Sequence, residues 1–166
     1  FIYHFINYLL SINESEPYNL NKKEINYNNK SYKLLNENTH SNFFSLENQS
    51  NKKNVGIDDV RNMISFLNKS TFSNNLKLFL IDNIDYLNIN STNALLKCLE
   101  EINKNTYFFI ITHNSNKVTP TIKSRSIEFK IFQNYLKKKE IFLNLIKDIN
   151  KVIPSENTLS NLNFDT

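Results

Sequence analysis

The chain has 166 residues and a mass of 19.6 kDa, with 40% hydrophobic and 22% charged residues, the make-up of one ordinary globular domain or slightly more. A single cysteine, Cys98, excludes a disulfide framework and a cysteine-based zinc cage; a single glycine, Gly56, excludes GxxxxGK[ST] and GxGxxG from this stretch; and no apolar run approaches the ~18 residues of a membrane span. The net charge of +4 is spread evenly, with 6 Lys/Arg against 5 Asp/Glu in residues 1–56, 9 against 7 in 57–130 and 5 against 4 in 131–166, so nucleic-acid contact is permitted but no basic face indicates it.

In chain order, residues 2–10 put Ile2, Phe5, Ile6, Tyr8, Leu9 and Leu10 on a broad apolar helical face. Phe1 begins inside this face with no charged stretch before it, which reads as a helix in mid-domain of a longer protein rather than a signal peptide. Residues 11–30 are polar, contain Pro17 and read as a long loop; residues 31–40 are weakly patterned; Phe43–Leu46 is a short strand candidate; residues 47–54 return to loop. After Gly56 a helix starts, with Asp58 and Asp59 in the first turn beside its unpaired N–H groups and Val60, Met63, Ile64 and Leu67 along its apolar side. Residues 76–81 form a nearly continuous apolar run, the pattern of a strand covered on both faces. Ser91 is the expected cap of the next helix, on which Ala94, Leu95, Cys98, Leu99 and Ile102 form one stripe. Residues 107–111 read as a second fully buried strand, Pro120 opens a short helical turn, 127–132 can form a third strand, and 135–150 a last amphipathic helix. This alternation predicts an α/β fold, a parallel sheet with helices on both faces.

The groups that could carry chemistry are expected at the carboxyl ends of the strands, where open α/β sheets bind ligands. Asp82 and Asp85 follow the 76–81 strand; such carboxylates hold Mg²⁺ in nucleoside triphosphatases, and they are also common turn residues. Thr112, His113 and Asn114 follow the next strand and suit either a phosphate or a cap. Arg125, between Ser124 and Ser126, has the planar fork that binds phosphate oxygens, or is a plain surface residue. Glu100 and Glu101 end a helix and read as a solvated face; Cys98 reads as core; His4, His40 and His113 lack metal-ligand spacing.

Taken together, the segments IDDVR (57–61), LKLFLIDNIDYLN (76–88), TNALLKCLEE (92–101), ITHN (111–114) and PTIKSRS (120–126) are far more specific than any one of them. In order and spacing the chain resembles the clamp-loader ATPases of the AAA+ class that serve bacterial DNA polymerase III, the delta-prime type first and the gamma/tau type next. Residues 40–132 carry the likeness, and residues 1–10 resemble the helix that follows the phosphate loop in that family. The resemblance implies a three-layer AAA+ domain, P-loop-NTPase-like, over residues 1–132. Its first strand and phosphate loop are missing, and an incomplete helical lid domain starts at 133–166. It puts Asp82 at the Mg²⁺-binding carboxylate, with Asn83 where active members have a water-polarising Glu and Asp85 two positions on. Thr112, with Asn114, falls at the sensor of the terminal phosphate. Arg125 falls at the arginine that acts on a neighbouring subunit's ATP, and Ser126 stands where the family has Cys. The four-cysteine zinc module of several members has no counterpart, so no zinc site is expected.

The resemblance further implies a cytoplasmic protein with no membrane partner. Its expected partners are gamma/tau and delta subunits, the sliding clamp and, indirectly, primer-template DNA. ATP and Mg²⁺ belong to the full-length complex, and no cofactor is assigned firmly to this stretch. A chain with little or no ATPase activity of its own is the leading expectation. An ATP-hydrolysing gamma/tau-type subunit and a plain α/β interaction domain are the alternatives.

Overall fold

The computed structural model describes residues 1–47, 55–69, 76–102, 104–132, 134, 136, 137 and 143. The chain divides into two units, Phe1–Ser126 and Ile127–Thr166, and the first carries every element named below. Among the described residues no helix is long and apolar enough to cross a membrane.

Three parallel strands, β1 (Phe43–Leu46), β2 (Lys77–Ile81) and β3 (Thr106–Ile110), lie in the order β1-β2-β3. Phe43 is in register with Leu78, and Leu78 in turn with Tyr107. β2 is paired on both edges and buried at every position, as its nearly continuous apolar run predicts. Its side chains alternate between two cores. Leu78 and Leu80 meet Ile6 and Leu10 of α1 (Ile2–Ser11), with Phe43 beside them. Phe79 and Ile81 meet Val60, Met63 and Leu67 of α3 (Ile57–Leu67) and Leu95 and Cys98 of α4 (Ile89–Glu100). Two crossovers of one hand, stepping the same way across the sheet, put α3 and α4 on one face; α1 covers the other, giving three layers. Phe79 stacks on Phe108 at 4.6 Å, with Phe44 and Phe66 around it.

Between α1 and β1 the chain is set by polar contacts rather than an apolar stripe. That is why residues 31–40 look featureless in sequence although Lys30–Asn36 is a helix, α2. Asn29 caps it, accepting the Tyr32 N–H at 2.5 Å. The same buried carboxamide pairs reciprocally with that of Asn7 on α1, at 3.3 and 3.4 Å. Glu14 accepts both the N–H and the hydroxyl of Ser31, at 3.0 and 2.6 Å. Asn42 N–H donates to His40 Nδ1 at 3.1 Å, so the ring proton sits on Nε2, 3.2 Å from Ser31 Oγ. Burial holds the His40 pKa below its ordinary value, opposed by Glu14 and assisted by Lys30.

Lys77, the first residue of β2, is only 4% exposed. Its ammonium donates to the carbonyls of Phe66 at 3.0 Å, Leu67 at 2.7 Å and Lys69, at and just past the C-terminal end of α3. The cation thus meets the negative end of the helix dipole. Burial depresses its pKa, and the Lys69 charge adds to the shift.

Four sequence expectations need correction. The cap of α4 is Asn88, which accepts the Ser91 N–H at 2.9 Å; Ser91 is buried and donates to the Val55 carbonyl at 3.1 Å. The Asn side chain reaches the third N–H of the helix from one residue before it, the geometry a cap needs. β3 is not fully buried: Tyr107 is 53% exposed, because only β2 pairs with this strand among the described residues. Residues 127–132 form no strand; the apolar alternation is present, but Ile127, Phe129, Ile131 and Phe132 are exposed and no ladder includes them. A strand needs a neighbour as well as a pattern. The helix expected over 135–150 and the lid domain expected at 133–166 lie almost wholly outside the described residues; Leu136, Lys137 and Leu143 are helical. The fourth correction concerns Arg125 and follows with the site.

Candidate functional site

At the exit of β2 the Asp82 N–H donates to the Leu46 carbonyl at 3.1 Å, which continues the pairing with β1 one residue past the strand. Asn83 then turns the chain with φ of 65°, the left-handed region that Asn tolerates better than other side chains. Its carboxamide oxygen accepts the Asp85 N–H at 3.1 Å and caps a short 3-10 turn, Ile84–Tyr86. The side chain after Asp82 is therefore spent on the local backbone, and a carboxamide has no basic oxygen with which to take a proton from water.

The exits of β2 and β3 are tied together. Ile111 N–H donates to the Ile81 carbonyl and Ile84 N–H to the Ile111 carbonyl, both at 2.9 Å. This brings Thr112 onto Asp85: the hydroxyl donates to Asp85 Oδ1 at 2.9 Å and accepts the Asn114 N–H at 3.1 Å. Asn114 Oδ1 in turn accepts the Asn116 N–H at 3.0 Å and caps a second 3-10 turn, Ser115–Lys117. Asp85, Thr112 and Asn114 thus form one closed chain of hydrogen bonds. Among the described residues the Asp82 carboxylate makes no hydrogen bond or ion pair.

Beside Asp82, the exit of β1 adds groups that sequence reading missed. Glu47 Oε1 accepts from Ser45 Oγ at 2.6 Å and from the Tyr3 hydroxyl on the first turn of α1. The Tyr3 pKa is pushed up to about 12, by burial first and then by the bond to Glu47; the nearby charges of Glu47 and Asp82 add to this, and a bond with Ser45 opposes it. Nothing in the spacing signals this contact, since Tyr3 and Glu47 are 44 residues apart.

Arg125 lies elsewhere. It follows α5 (Pro120–Lys123), anchored in the core by Ile122, and its Nη2 donates to Glu100 Oε1 at 2.9 Å at the last residue of α4. Its Nη1 donates to the Thr121 carbonyl at 3.2 Å. Since α4 begins right after the Asp85 turn and runs 12 residues, about 18 Å of helix separates its two ends. The expectation that all three groups gather at the strand exits is thereby corrected. Asp82, Asp85, Thr112 and Asn114 are there, whereas the short return through α5 carries Arg125 to the opposite end of α4. Glu100, read in sequence as a solvated carboxylate, is its partner. A separate groove of about 470 Å³ runs between α3 and α4, lined by Ile57, Ile64, Ala94 and Cys98 with Arg61 and Lys97 at its rim. Burial, then the charge of Glu101, raises the Cys98 pKa and so disfavours the thiolate.

Residues 10–134 match the family described as DNA polymerase III, delta subunit. The delta-prime subunit of DNA polymerase III from Pseudomonas aeruginosa is 34% identical over 99 residues, covering 60% of this chain and 30% of that protein. Its counterpart from Buchnera aphidicola of Schizaphis graminum is 30% identical over 130 residues, 78% of this chain and 37% of that one. Replication factor C subunit 3 of Schizosaccharomyces pombe is 36% identical over 103 residues, 61% of this chain and 28% of that one. A crystal structure of a DNA polymerase III gamma subunit-related protein from Thermotoga maritima superposes with a TM-score of 0.53 at 25% identity, covering 73% of this chain and 42% of that chain. The chain thus spans about a third of the length of the curated relatives it matches. With the family match running over well more than half of its residues and a fold of the same kind as the Thermotoga protein, the chain belongs to the DNA polymerase III, delta subunit, family.

Proposed function

We propose that this chain is part of a clamp-loader subunit of DNA polymerase III, working in the cytoplasm with gamma/tau and delta subunits to open the sliding clamp and load it on primed DNA. In this reading it supplies Arg125 to ATP bound by the adjacent subunit and hydrolyses little or none itself. The observation that supports it best is the separation of Arg125 from Asp82 and Asp85 by the length of α4. An arginine side chain is far shorter than about 18 Å of helix, which supports a role for Arg125 toward a partner's nucleotide rather than at Asp82.

Toward a nucleotide of its own, the strand exits offer the Asp82 carboxylate, which makes no hydrogen bond or ion pair among the described residues. Asp85 is bonded to Thr112, and Asn83 is bonded to the backbone. Among the described residues no three His, Cys, Asp or Glu side chains converge as a metal site would. One carboxylate can contribute to Mg²⁺ held mainly by phosphates, but it does not make up a nucleotide site. The chemistry that remains is electrostatic. A guanidinium at the transferring phosphoryl group stabilises charge that develops in the transition state, worth about 10³–10⁵ in rate when supplied by a neighbour.

The test is Arg125→Ala in the full-length protein reconstituted into the complex, with nucleotide binding, DNA-stimulated turnover and clamp loading measured together. Turnover at one site should fall by ~10³ or more while nucleotide affinity and assembly persist. Arg125→Lys should rescue poorly, since an ammonium lacks the planar fork. Unchanged turnover with Ala would sink the reading.

A further inference from the structure

We infer that Glu100 is a positioning residue for Arg125: with the Thr121 carbonyl it holds the guanidinium in one orientation whose remaining donors are free for a partner's phosphate. The inference rests on the proposed role of Arg125. Its geometry has three parts. The backbone is fixed first, because Arg125 N–H donates to the Ile122 carbonyl at 3.1 Å and the Ile122 side chain is buried in the core. Ser126 Oγ closes on the same carbonyl at 2.8 Å. The side chain is then held at two different nitrogens by acceptors from two different elements, Glu100 Oε1 from α4 and the Thr121 carbonyl from α5. Two acceptors on the two Nη atoms set both the position and the plane of the group, which one bond would leave free to turn. Finally, a guanidinium has five N–H donors; two are spent here and three remain.

Exposure separates this role from a structural one. The side chains of Arg125 and Glu100 are 38% and 49% exposed, so their ion pair contributes little to folding. An arginine that must act across an interface gains instead from orientation set before the partner arrives. Misplacing a reacting group by about 1 Å costs about 10² in rate.

The experiment uses the full-length protein in the reconstituted complex, with Glu100→Ala, Glu100→Gln, Arg125→Ala and the Arg125→Ala/Glu100→Ala double variant. Glu100→Ala should lower turnover on the order of 10-fold with nucleotide affinity unchanged, less than the loss from a full displacement. Glu100→Gln keeps the accepting oxygen and should stay within about 3-fold of the native rate, because geometry rather than charge is the requirement. The double variant should be no slower than Arg125→Ala, and thermal midpoints of the Glu100 variants should match the native protein. Two results overturn the inference while leaving the role of Arg125 standing: native turnover in Glu100→Ala, or faster turnover, which would mean that the carboxylate competes with the phosphate. Native turnover in Arg125→Ala would instead overturn the proposed function and this inference with it.

Discussion

At the Asn88 end of α4, Asp85, Thr112 and Asn114 are tied to one another by hydrogen bonds, whereas at the Glu100 end Arg125 has two of its five donors held and, among the described residues, three without a partner. Both ends carry the residue types of phosphoryl chemistry, but at one end Asp85, Thr112 and Asn114 bond to one another and to the local backbone, and at the other Arg125 is held by one carboxylate and one carbonyl. A connected polar network adds rigidity and engages part of its own donors and acceptors; a held but unfilled donor set is ready for a ligand. In this reading the subunit's contribution moves from its own strand exits to its neighbour's.

The largest expected effect separates the two ends by turnover. In the reconstituted complex Arg125→Ala should slow hydrolysis by ~10³ or more, while Asp82→Ala at the strand exit should change it less than about 3-fold. Comparable losses for both variants would erase the distinction and point to a nucleotide held by this chain.

The next contrast sets two cations against each other. Lys77 and Arg125 both lie toward the end of the sheet where α4 finishes and β2 starts, but Lys77, itself buried, spends its donors on three backbone carbonyls. Lys77→Met should cost about 2 kcal/mol in urea unfolding, since it strips a charged donor from three carbonyls, that of buried Leu67 among them. Arg125→Ala should stay within about 0.5 kcal/mol of native stability, as expected for an exposed pair. One cation would then matter to stability and the other to turnover.

A smaller effect tests whether the closed end is structural. Thr112→Val leaves the Asp85 carboxylate without its hydroxyl donor and the Asn114 N–H without its acceptor, so a loss of about 1 kcal/mol is expected, with turnover in the complex unchanged. A turnover defect without a stability defect would make Thr112 a functional group instead.

The smallest effect is in pH. The folded-state pKa of His40 lies below the ordinary 6.5, so its neutral form is the one that fits, accepting from Asn42 and facing Ser31. Stability from this group is complete above about pH 6.5 and declines as pH falls toward the lower folded-state value, where a proton on Nδ1 would confront the Asn42 N–H. Denaturation midpoints at pH 7.5 and 5.5 should differ more in the native chain than in His40→Gln, and turnover attributable to Arg125 should not follow that difference.

What the sequence disclosed follows from which forces shape each part. β2 and α3 were legible because burial imposes periodicity: a nearly continuous apolar run for a strand covered on both faces, and an apolar side behind Asp58 and Asp59 for the helix. α2 was not, because a cap and hydrogen bonds to Glu14 define it rather than a stripe. The 127–132 segment misled for the opposite reason, since alternation is necessary for a strand but does not supply the neighbouring chain. Asp82, Asp85, Thr112 and Asn114 could be grouped because strand exits are a location that topology fixes. The partners that decide what those residues do, Thr112 on Asp85 and Glu100 on Arg125, are 27 and 25 residues away and carry no spacing rule.

The burial of Lys77 gives the molecule a chemical record of its own opening. Amine-reactive reagents label lysines at the surface readily, but a side chain held by three carbonyls and 4% exposed offers a reagent little access. Its labelling rate in the intact protein should therefore report how often α3 and β2 part, and should lag far behind that of exposed lysines such as Lys104. Because its depressed pKa belongs only to the folded state, the same residue becomes an ordinary lysine as soon as that enclosure is lost.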